Sequence, residues 1–199
     1  DSIHGAMKDD ISLKGKDLIY GNSSTRLLPG AAPGSIPWDA FDIDVVIDST
    51  GAYRTREELQ KHIDSGAKRV LVSKPPINDI DRIVIQGINQ NEIQAEDKII
   101  STTSSTTQVL ALMMKILDDN FGIERAMMTT VHAYTSDQPL ADAVRSDLRR
   151  SRSAVENIIP NETWAPDYVA QLMPQFEGKI SGIAMNVPVA NGSCIDLTT

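Results

Sequence analysis

The chain has 199 residues, of which 41% are hydrophobic and 23% charged, a composition typical of a folded globular protein rather than a disordered one. Its 19 basic and 27 acidic side chains give a formal net charge of −8, which argues against general nucleic-acid binding. The single cysteine, Cys194, cannot form an internal disulfide and excludes a cysteine-rich metal site, so a reducing, cytoplasmic location is expected.

Three further features narrow the class of protein. The histidines, His4, His62 and His132, lie far apart in sequence, so no local metal-ligand spacing is present and no metal is expected. No apolar run reaches the roughly 18 residues of a membrane-spanning helix, and no membrane partner is expected. The chain does not begin with methionine and ends directly after a strand-like segment, so we expect a piece of a longer protein.

The first half of the chain predicts a βαβ unit after a loop-rich start. The first forty residues contain several glycines and prolines and are predicted to be mostly loop. Residues 44–48 form a short apolar run typical of a buried parallel strand, and residues 69–73 form a second. Between them, Thr55 and Glu58 have the spacing of a capping box, which predicts a helix that ends near Gly66. This order predicts a parallel sheet with helices on its faces.

The second half predicts one long helix and several shorter elements. The long helix covers about residues 106–121 and contains an apolar stripe of Val109, Leu112, Met113, Ile116 and Leu117. A short helix near residues 166–173 and further strands are predicted, the strands at 83–85, 98–101, 127–134, 182–187 and 193–197. Residues 135–157 are polar and show no period, and such a stretch in a compact domain commonly has a binding role.

Five short motifs together resemble one enzyme family. They are D-S-I-H-G at residues 1–5, S-T-T-S-S-T-T-Q at 101–108, T-V-H-A-Y-T at 130–135, N-I-I-P at 157–160 and V-P at 187–188. In this order and at these spacings they are similar to motifs of phosphorylating glyceraldehyde-3-phosphate dehydrogenase. The resemblance covers the middle portion of that family's chain and extends over the whole of this one.

The resemblance implies an α/β fold in two parts. Residues 1–103 are expected to form the second half of a Rossmann-like NAD-binding domain with a parallel sheet. Residues 104–199 are expected to form the first half of an α+β catalytic domain of the family's type.

The resemblance also implies NAD as the cofactor of the full-length protein. Ser49, Thr50, Gly51 and Ser73 match loops that line the NAD site in the family, although ordinary strand-end turns are the alternative interpretation. None of the twelve glycines forms the G-x-G-x-x-G turn that holds a pyrophosphate. We therefore expect this chain alone to bind NAD weakly or not at all.

The family's catalytic cysteine corresponds to Ser105, and its acid–base histidine corresponds to His132. A thiol has a reference pKa of about 8.5 and is partly ionised at neutral pH, whereas a serine hydroxyl needs a strong base beside it. Ser105 is therefore expected to act as a helix cap without chemistry, with residual catalysis as the alternative. A hydrolase-like pair of Ser105 and His132 is a third option, but no orienting carboxylate is evident.

Five residues match positions that contact phosphate in the family: Ser104, Thr106, Thr135, Thr163 and Asn186. Asn186 replaces the arginine of the family's R-V-P motif, and an amide cannot supply the charged, bidentate contacts of a guanidinium. Trp164 stands where the family has a glycine, and Glu162 adds a negative charge beside it. Together with Ser105, these changes indicate an altered function, although a phosphorylated small molecule remains a candidate ligand.

The predicted function is that of a catalytically inactive relative of glyceraldehyde-3-phosphate dehydrogenase with a dinucleotide-binding or oligomeric interaction role. One alternative is an active NAD-dependent aldehyde oxidoreductase with altered substrate or chemistry. Another is a structural oligomerisation module. Residues 135–157 resemble the family's S-shaped loop at its tetramer interface, which predicts a homo-oligomer. The sequence leaves the physiological ligand open.

Overall fold

The computed structural model describes residues 3–7, 10–30 and 32–199. Asp1 and Ser2, which open the first of the five motifs, lie outside the described residues. The chain divides into two compact units, one of residues 1–82 and 95–101 and the other of residues 83–94 and 102–199. Short 3-10 helices lie in the connections, at Trp38–Phe41, Gln90–Glu92, Arg149–Ser151 and Pro174–Phe176.

The first unit begins with an antiparallel sheet of three strands, β1 (Ile11–Lys14), β2 (Asp17–Tyr20) and β3 (Ser23–Arg26). The prediction of mostly loop in the first forty residues is therefore wrong for this stretch. Two-residue turns join the strands, and Gly15 and Gly21 adopt φ values of +63° and +54° in them, a conformation that favours glycine. Because each strand has only four residues and none is fully buried, no long apolar pattern marks them.

The second sheet of this unit confirms the predicted βαβ arrangement. Its strands and the connecting helix are β4 (Val45–Asp48), α1 (Arg56–Asp64), β5 (Arg69–Val72), β6 (Arg82–Ile83) and β7 (Ile99–Ser101). The strand order is β4-β5-β7-β6, and the pairs β4–β5 and β5–β7 are parallel. The strand predicted at residues 83–85 is shorter than expected and begins one residue earlier.

Side chains from α1 and the parallel strands form the core of the first unit. Leu59, Val70, Val72 and Ile99 pack together and are almost completely buried. The prediction that β4 is buried is only half right, because Val46 is covered whereas Val45 and Ile47 are exposed. The physical reason is that successive side chains of a strand point to opposite faces, and only one face of β4 is covered. An apolar run does not by itself show whether one face or both faces are buried.

The predicted capping box is present at the start of α1. Thr55 Oγ1 accepts a hydrogen bond from the backbone N–H of Glu58 at 3.3 Å, and Glu58 Oε2 accepts one from Thr55 N at 3.0 Å. The same carboxylate accepts a hydrogen bond from Arg54 N at 2.9 Å. Hydrogen bonds from the backbone of Thr55 and Arg54 lower the pKa of Glu58, which keeps the cap charged.

The second unit contains one mixed sheet with two helices packed on it. Its elements are α2 (Ser105–Phe121), β8 (Ala126–Ala133), β9 (Ile159–Asn161), α3 (Ala165–Leu172), β10 (Ile180–Val187) and β11 (Ser193–Thr198). The strand order is β11-β8-β10-β9. β10 is parallel to β8, whereas β9 and β11 pair antiparallel with their neighbours. β9 was not predicted, because a strand of three residues carries almost no periodic signal.

The buried face of α2 differs from the predicted apolar stripe. Leu110, Ala111 and Met114 are completely buried and join the core with α3 and β8, whereas three of the five predicted residues, Val109, Leu112 and Ile116, are exposed. The helix carries apolar residues on two adjacent faces, and periodicity alone cannot say which one meets the sheet. This error does not affect where the helix lies in the chain, since its predicted and observed ranges agree within one residue.

Asp81 connects three segments of the first unit. Its Oδ2 accepts hydrogen bonds from Lys98 N and Ile99 N at 2.9 and 2.8 Å, and its Oδ1 accepts one from Arg56 Nη2 at 2.6 Å. Burial acts to raise the pKa of Asp81, but the hydrogen bonds from Ile99 N and Arg56 outweigh it and lower the pKa overall. A carboxyl group whose pKa is lower in the folded than in the unfolded chain stabilises the fold at pH values above its unfolded-state pKa. This stabilisation is lost as the pH falls through the folded-state pKa.

We predict that Asp81→Asn lowers the free energy of unfolding by about 1–2 kcal/mol at pH 7. The difference from the unmodified chain should begin to shrink below about pH 4, where the carboxyl group takes up a proton. Urea unfolding at a series of pH values measures this. Asp79→Asn is the matched control, since the Asp79 side chain is exposed and its backbone alone contacts Arg56. A difference that stays constant down to pH 3 would contradict the role given to the Asp81 charge.

Candidate functional site

Ser104, and not Ser105, caps α2. Ser104 has extended backbone dihedrals, and its Oγ accepts a hydrogen bond from Thr107 N at 3.1 Å. The expectation that Ser105 caps the helix is therefore wrong. Ser105 is the first helical residue, and its side chain is exposed beside the positive end of the helix dipole. The sequence contains two adjacent serines, and only the backbone geometry decides which of them is the cap.

A strained turn leads into this helix. Thr103 is almost fully buried and has a φ of +58°, in the left-handed region that a β-branched residue rarely adopts. Such a conformation costs on the order of 1–3 kcal/mol and persists where the surrounding structure holds it. The strain lies two residues before Ser105, so the turn that presents this position is held in an unfavourable conformation. No sequence signal indicated it.

His132 is held by hydroxyl groups on both ring nitrogens. Its Nε2 lies 3.1 Å from Thr106 Oγ1, and its Nδ1 lies 3.0 Å from Ser193 Oγ. Ser105, Thr106, His132 and Ser193 line one cleft of about 350 Å³. The structure thus brings together Ser105 and His132, as predicted, but the hydroxyl on the histidine belongs to Thr106. Sequence analysis missed Ser193, which lies opposite His132 in the register of β11 and β8.

A buried hydroxyl also faces this cleft. Thr130 is only 2% exposed and lies two residues before His132 on β8, which puts both side chains on the same face. It lines the cleft, and within the described residues its Oγ1 has no hydrogen-bond partner. The cleft is thus lined by an unpartnered but buried hydroxyl group and by apolar side chains that include Val109 and Ile195.

The single cysteine, Cys194, does not face His132. Cys194 is free and exposed, and it borders the same cleft. It pairs with Val131, however, whereas its neighbour Ser193 pairs with His132. Because successive residues of a strand point to opposite faces of a sheet, the side chain of Cys194 is directed away from His132.

Asn186 lies beside His132, at the matching position of the parallel strand β10. Its Nδ2 donates a hydrogen bond to the backbone oxygen of Ala133 at 3.1 Å, and its Oδ1 accepts one from Asn161 Nδ2. The amide group is thus held from both ends. Sequence analysis did not identify Asn161, which the short strand β9 brings next to β10.

The hydrogen bonds that begin at Asn186 continue through Asn161 to a charged pair. Arg150 Nη1 donates a hydrogen bond to Asn161 Oδ1 at 3.3 Å, and Arg150 Nη2 forms an ion pair with Asp137. Arg150, the arginine that these hydrogen bonds connect to Asn186, therefore already has a carboxylate partner. Sequence analysis placed Arg150 in the polar loop but gave it no individual role.

The remaining predicted phosphate contacts have local partners. Thr135 Oγ1 donates a hydrogen bond to Asp137, and Thr163 Oγ1 accepts one from Ala165 N at 3.3 Å, at the start of α3. Trp164 is 69% exposed. Thus Thr135 and Thr163 form hydrogen bonds within their own loops, and neither residue lines the cleft that contains His132.

The four predicted cofactor residues meet in the first unit, after the carboxyl ends of β4 and β5. Asp48 Oδ1 accepts hydrogen bonds from Thr50 N at 2.9 Å and from Thr50 Oγ1 at 2.6 Å. The backbone oxygen of Asp48 accepts hydrogen bonds from Ser73 N at 3.1 Å and from Ser73 Oγ at 3.2 Å. Ser49, Thr50 and Ser73 are exposed. Ligands of open parallel sheets bind at this edge, so the arrangement suits a cofactor.

Gly51 has a φ of +69°, a conformation that favours glycine. A side-chain carbon there would lie 3.3 Å from Lys74 Cε, near the flexible end of a side chain, so the backbone conformation is the main reason for glycine at this position.

The described part of the chain contains neither a helix long and apolar enough to cross a membrane nor a group of three side chains suited to hold a metal ion.

Comparison with known proteins identifies the family. The model described as "Glyceraldehyde 3-phosphate dehydrogenase, NAD binding domain" matches residues 1–56, and that of the C-terminal domain of the same enzyme matches residues 104–199. Glyceraldehyde-3-phosphate dehydrogenases from Streptomyces coelicolor, Mycobacterium avium and Geobacillus stearothermophilus are 43%, 42% and 40% identical to this chain. These alignments cover 99%, 100% and 99% of the chain.

The chain belongs to the glyceraldehyde-3-phosphate dehydrogenase family. It spans 59% of the length of each of these relatives. The predicted α/β fold class, with a Rossmann-like parallel sheet and a catalytic domain of the family's type, is confirmed. The match to an NAD binding domain confirms NAD as the cofactor expected from the sequence, whereas binding by this chain alone stays a prediction.

We predict that Ser104→Ala lowers the free energy of unfolding by about 1 kcal/mol, because the first turn of α2 loses its side-chain cap. Ser105→Ala is the matched control and should change it by less than about 0.5 kcal/mol, since this side chain is exposed. Urea unfolding of both variants measures the difference. A larger loss for Ser105→Ala would show that the cap has been assigned to the wrong serine.

Proposed function

We propose that the chain is part of a protein that binds a dinucleotide through the loops after β4 and β5 and does not oxidise glyceraldehyde 3-phosphate. The observation that carries the proposal is the pairing of His132 with Thr106, beside a serine in the position of the family's cysteine. The cofactor contacts proposed are Ser49, Thr50, Gly51 and Ser73. The proposed boundary between the NAD-binding and catalytic domains lies at residues 103 and 104.

The proposed loss of the family's reaction follows from the low acidity of the Ser105 hydroxyl group. The family's reaction needs a thiolate that attacks the aldehyde and a histidine that moves the proton. Ser105 is a much weaker acid than a thiol and needs a base within hydrogen-bond reach. The Nε2 of His132 is bonded to Thr106 instead, and Cys194 is directed to the opposite face of the sheet. In the described structure no hydrogen bond joins Ser105 to His132, the base that it would need.

The surroundings of Asn186 argue against a phosphorylated aldehyde as substrate. An arginine fork would offer a phosphate several charged donors. Asn186 instead donates to Ala133 O, and the nearby Arg150 is neutralised by Asp137. Glu162 borders the groove that contains Arg150 and adds a further negative charge. A dianion entering this groove would meet the carboxylates of Asp147 and Glu162 as well as the guanidinium of Arg149.

A second candidate function is an NAD-dependent oxidoreductase that acts on a different, unphosphorylated aldehyde. The observation that favours it is the retained cleft, in which the unpartnered hydroxyl of Thr130 lies on the same face as His132. Formation of NADH from a panel of unphosphorylated aldehydes by the full-length protein distinguishes this function from a purely binding one.

We also propose that the protein is a homo-oligomer through residues 135–157. Val144 is fully exposed and Leu148 is 80% exposed in this loop. Large apolar side chains at such positions are typical of surfaces that meet another chain. Sedimentation of the unmodified protein and of a Val144→Ser, Leu148→Ser variant tests this, and an unchanged oligomeric state would contradict it. The remaining alternative is a structural oligomerisation module that does not bind NAD. NAD binding in the titration described next would contradict this alternative.

We predict that NAD at millimolar concentration shifts the amide resonances of Ser49, Thr50, Gly51 and Ser73, with a dissociation constant weaker than about 10 μM, roughly −7 kcal/mol. Affinity is limited because the chain contains no glycine-rich turn for the pyrophosphate. Two-dimensional NMR titration measures both quantities. Tighter binding would contradict the expected weakness, and shifts confined to other residues would contradict the assignment of the loops.

We predict that Ser105→Cys alone does not restore glyceraldehyde-3-phosphate oxidation in the full-length protein. The variant regains a nucleophile, but the phosphate position still lacks its charged donors. Each lost charged hydrogen bond corresponds to about 1.5–3 kcal/mol, or roughly ten- to a hundredfold in rate. The triple variant Ser105→Cys, Asn186→Arg, Trp164→Gly should therefore exceed the single variant by at least that factor in an NADH assay.

Thiol alkylation is the control for this series, since the Ser105→Cys variant should carry one more reactive cysteine than the parent. If the single variant is alkylated and matches the triple variant in rate, Asn186 and Trp164 do not limit substrate binding.

A further inference from the structure

A buried carboxylate and a buried imidazole lie behind the proposed cofactor loops. Asp48 and His62 are only 4% and 8% exposed, and Asp48 Oδ2 lies 3.5 Å from His62 Nε2. Within the described residues, neither of these two atoms has a hydrogen-bond partner that meets ordinary geometric criteria. The other carboxylate oxygen, Oδ1, accepts the two hydrogen bonds from Thr50. One carboxylate thus faces a histidine on one side and a cofactor loop on the other.

Trp38 determines which nitrogen of His62 carries the proton. The indole Nε1 donates a hydrogen bond to His62 Nδ1 at 3.2 Å, and the two rings lie 5.9 Å apart. An indole N–H can only donate, so Nδ1 must supply a lone pair. The proton of the neutral imidazole is therefore on Nε2, directed towards Asp48.

From this geometry we propose that Trp38, His62 and Asp48 form a positioning chain for the cofactor loops. The proposal rests on the dinucleotide-binding function proposed above. Trp38 fixes the tautomer of His62, and the Nε2–H of His62 points towards Asp48 Oδ2 at 3.5 Å, a contact that favours one orientation of the carboxylate. The carboxylate in turn holds the backbone and hydroxyl of Thr50, and Ala52 N continues the turn with a hydrogen bond to Thr50 Oγ1 at 3.2 Å.

Packing alone does not explain a buried carboxylate next to a buried imidazole, and this favours a positioning role for Asp48 and His62. A buried carboxylate is destabilising unless it is paired and hydrogen-bonded, and a hydrophobic group of similar size commonly serves packing as well or better. The backbone carbonyl of Asp48 also receives both hydrogen bonds from Ser73. One residue therefore connects the two loops that are proposed to contact the dinucleotide, and any rotation of its carboxylate would release Thr50.

Two substitutions of His62 separate this role from simple packing. Glutamine places its amide nitrogen near the position of Nε2, so His62→Gln keeps a donor for Asp48 and loses the acceptor for Trp38. Asparagine places its amide near the position of Nδ1, so His62→Asn keeps the partner of Trp38 and loses the donor for Asp48. Both remove the ring, so a packing role predicts equal effects. Asp44→Asn is the surface control, because Asp44 is exposed at the other end of β4.

The readout is amide hydrogen exchange of Thr50 and Ala52 in the unliganded chain, with the core amide of Val70 as the internal reference. We expect His62→Asn to speed exchange of Thr50 on the order of tenfold relative to Val70, the effect of losing about one hydrogen bond. His62→Gln and Asp44→Asn should stay within about twofold of the unmodified chain. Equal acceleration in both His62 variants, or none in either, would overturn the proposal.

A measurement on the unmodified chain keeps the proposal testable even if both variants fail to fold. The nitrogen-15 shifts of the His62 ring report its tautomer directly, and we expect the proton on Nε2. A proton on Nδ1 would overturn the proposal. Both measurements use no ligand, so their outcome is independent of the NAD titration. If NAD leaves the loop resonances unchanged while His62→Asn still releases Thr50, the dinucleotide function fails and the positioning of the loop stands.

Discussion

The two hydrogen bonds of His132 are the constraint on which the candidate active site depends. Through Thr106 the imidazole is tied to the first turn of α2, and through Ser193 it is tied to β11. The histidine therefore links the helix that presents Ser105 to two neighbouring strands of the sheet. The same bonds occupy both ring nitrogens, so the group that holds the cleft together is not free to activate the serine beside it.

The two units support different parts of the proposed function. A fold tolerates many changes of side chain as long as volume and pattern are kept, whereas a reaction requires particular atoms in particular places. In the second unit, Ser105 and Asn186 stand at the positions that we propose correspond to the family's thiol and phosphate-binding guanidinium. In the first unit the turns after β4 and β5 keep their exposed polar groups and a buried carboxylate that organises them. The functional proposal follows from this contrast.

Local signals in the sequence predicted most of the elements, and long-range pairing accounts for most of what was missed. The capping box at Thr55 and the βαβ order depend on residues close in sequence, and both are present in the structure. The buried face of α2 and the exposed face of β4 depend on what lies across the sheet, which periodicity does not encode. The same limit applies to the site. Ser105 and His132 were identified by motif, whereas Ser193 and Asn161 reach the site only through strand register. Asp48 was predicted only as part of a strand, and its link to His62 crosses from β4 to α1.

Mass spectrometry of the full-length protein after incubation with NAD and glyceraldehyde 3-phosphate, without inorganic phosphate, tests the central claim most directly. Under these conditions an active nucleophile at position 105 would accumulate as an acyl-enzyme, because no acceptor is present other than water. Our account predicts that the peptide containing Ser105 keeps its unmodified mass and that no NADH is formed. A phosphoglyceroyl ester on Ser105, accompanied by one equivalent of NADH, would contradict it and show that Ser105 still acts as the nucleophile.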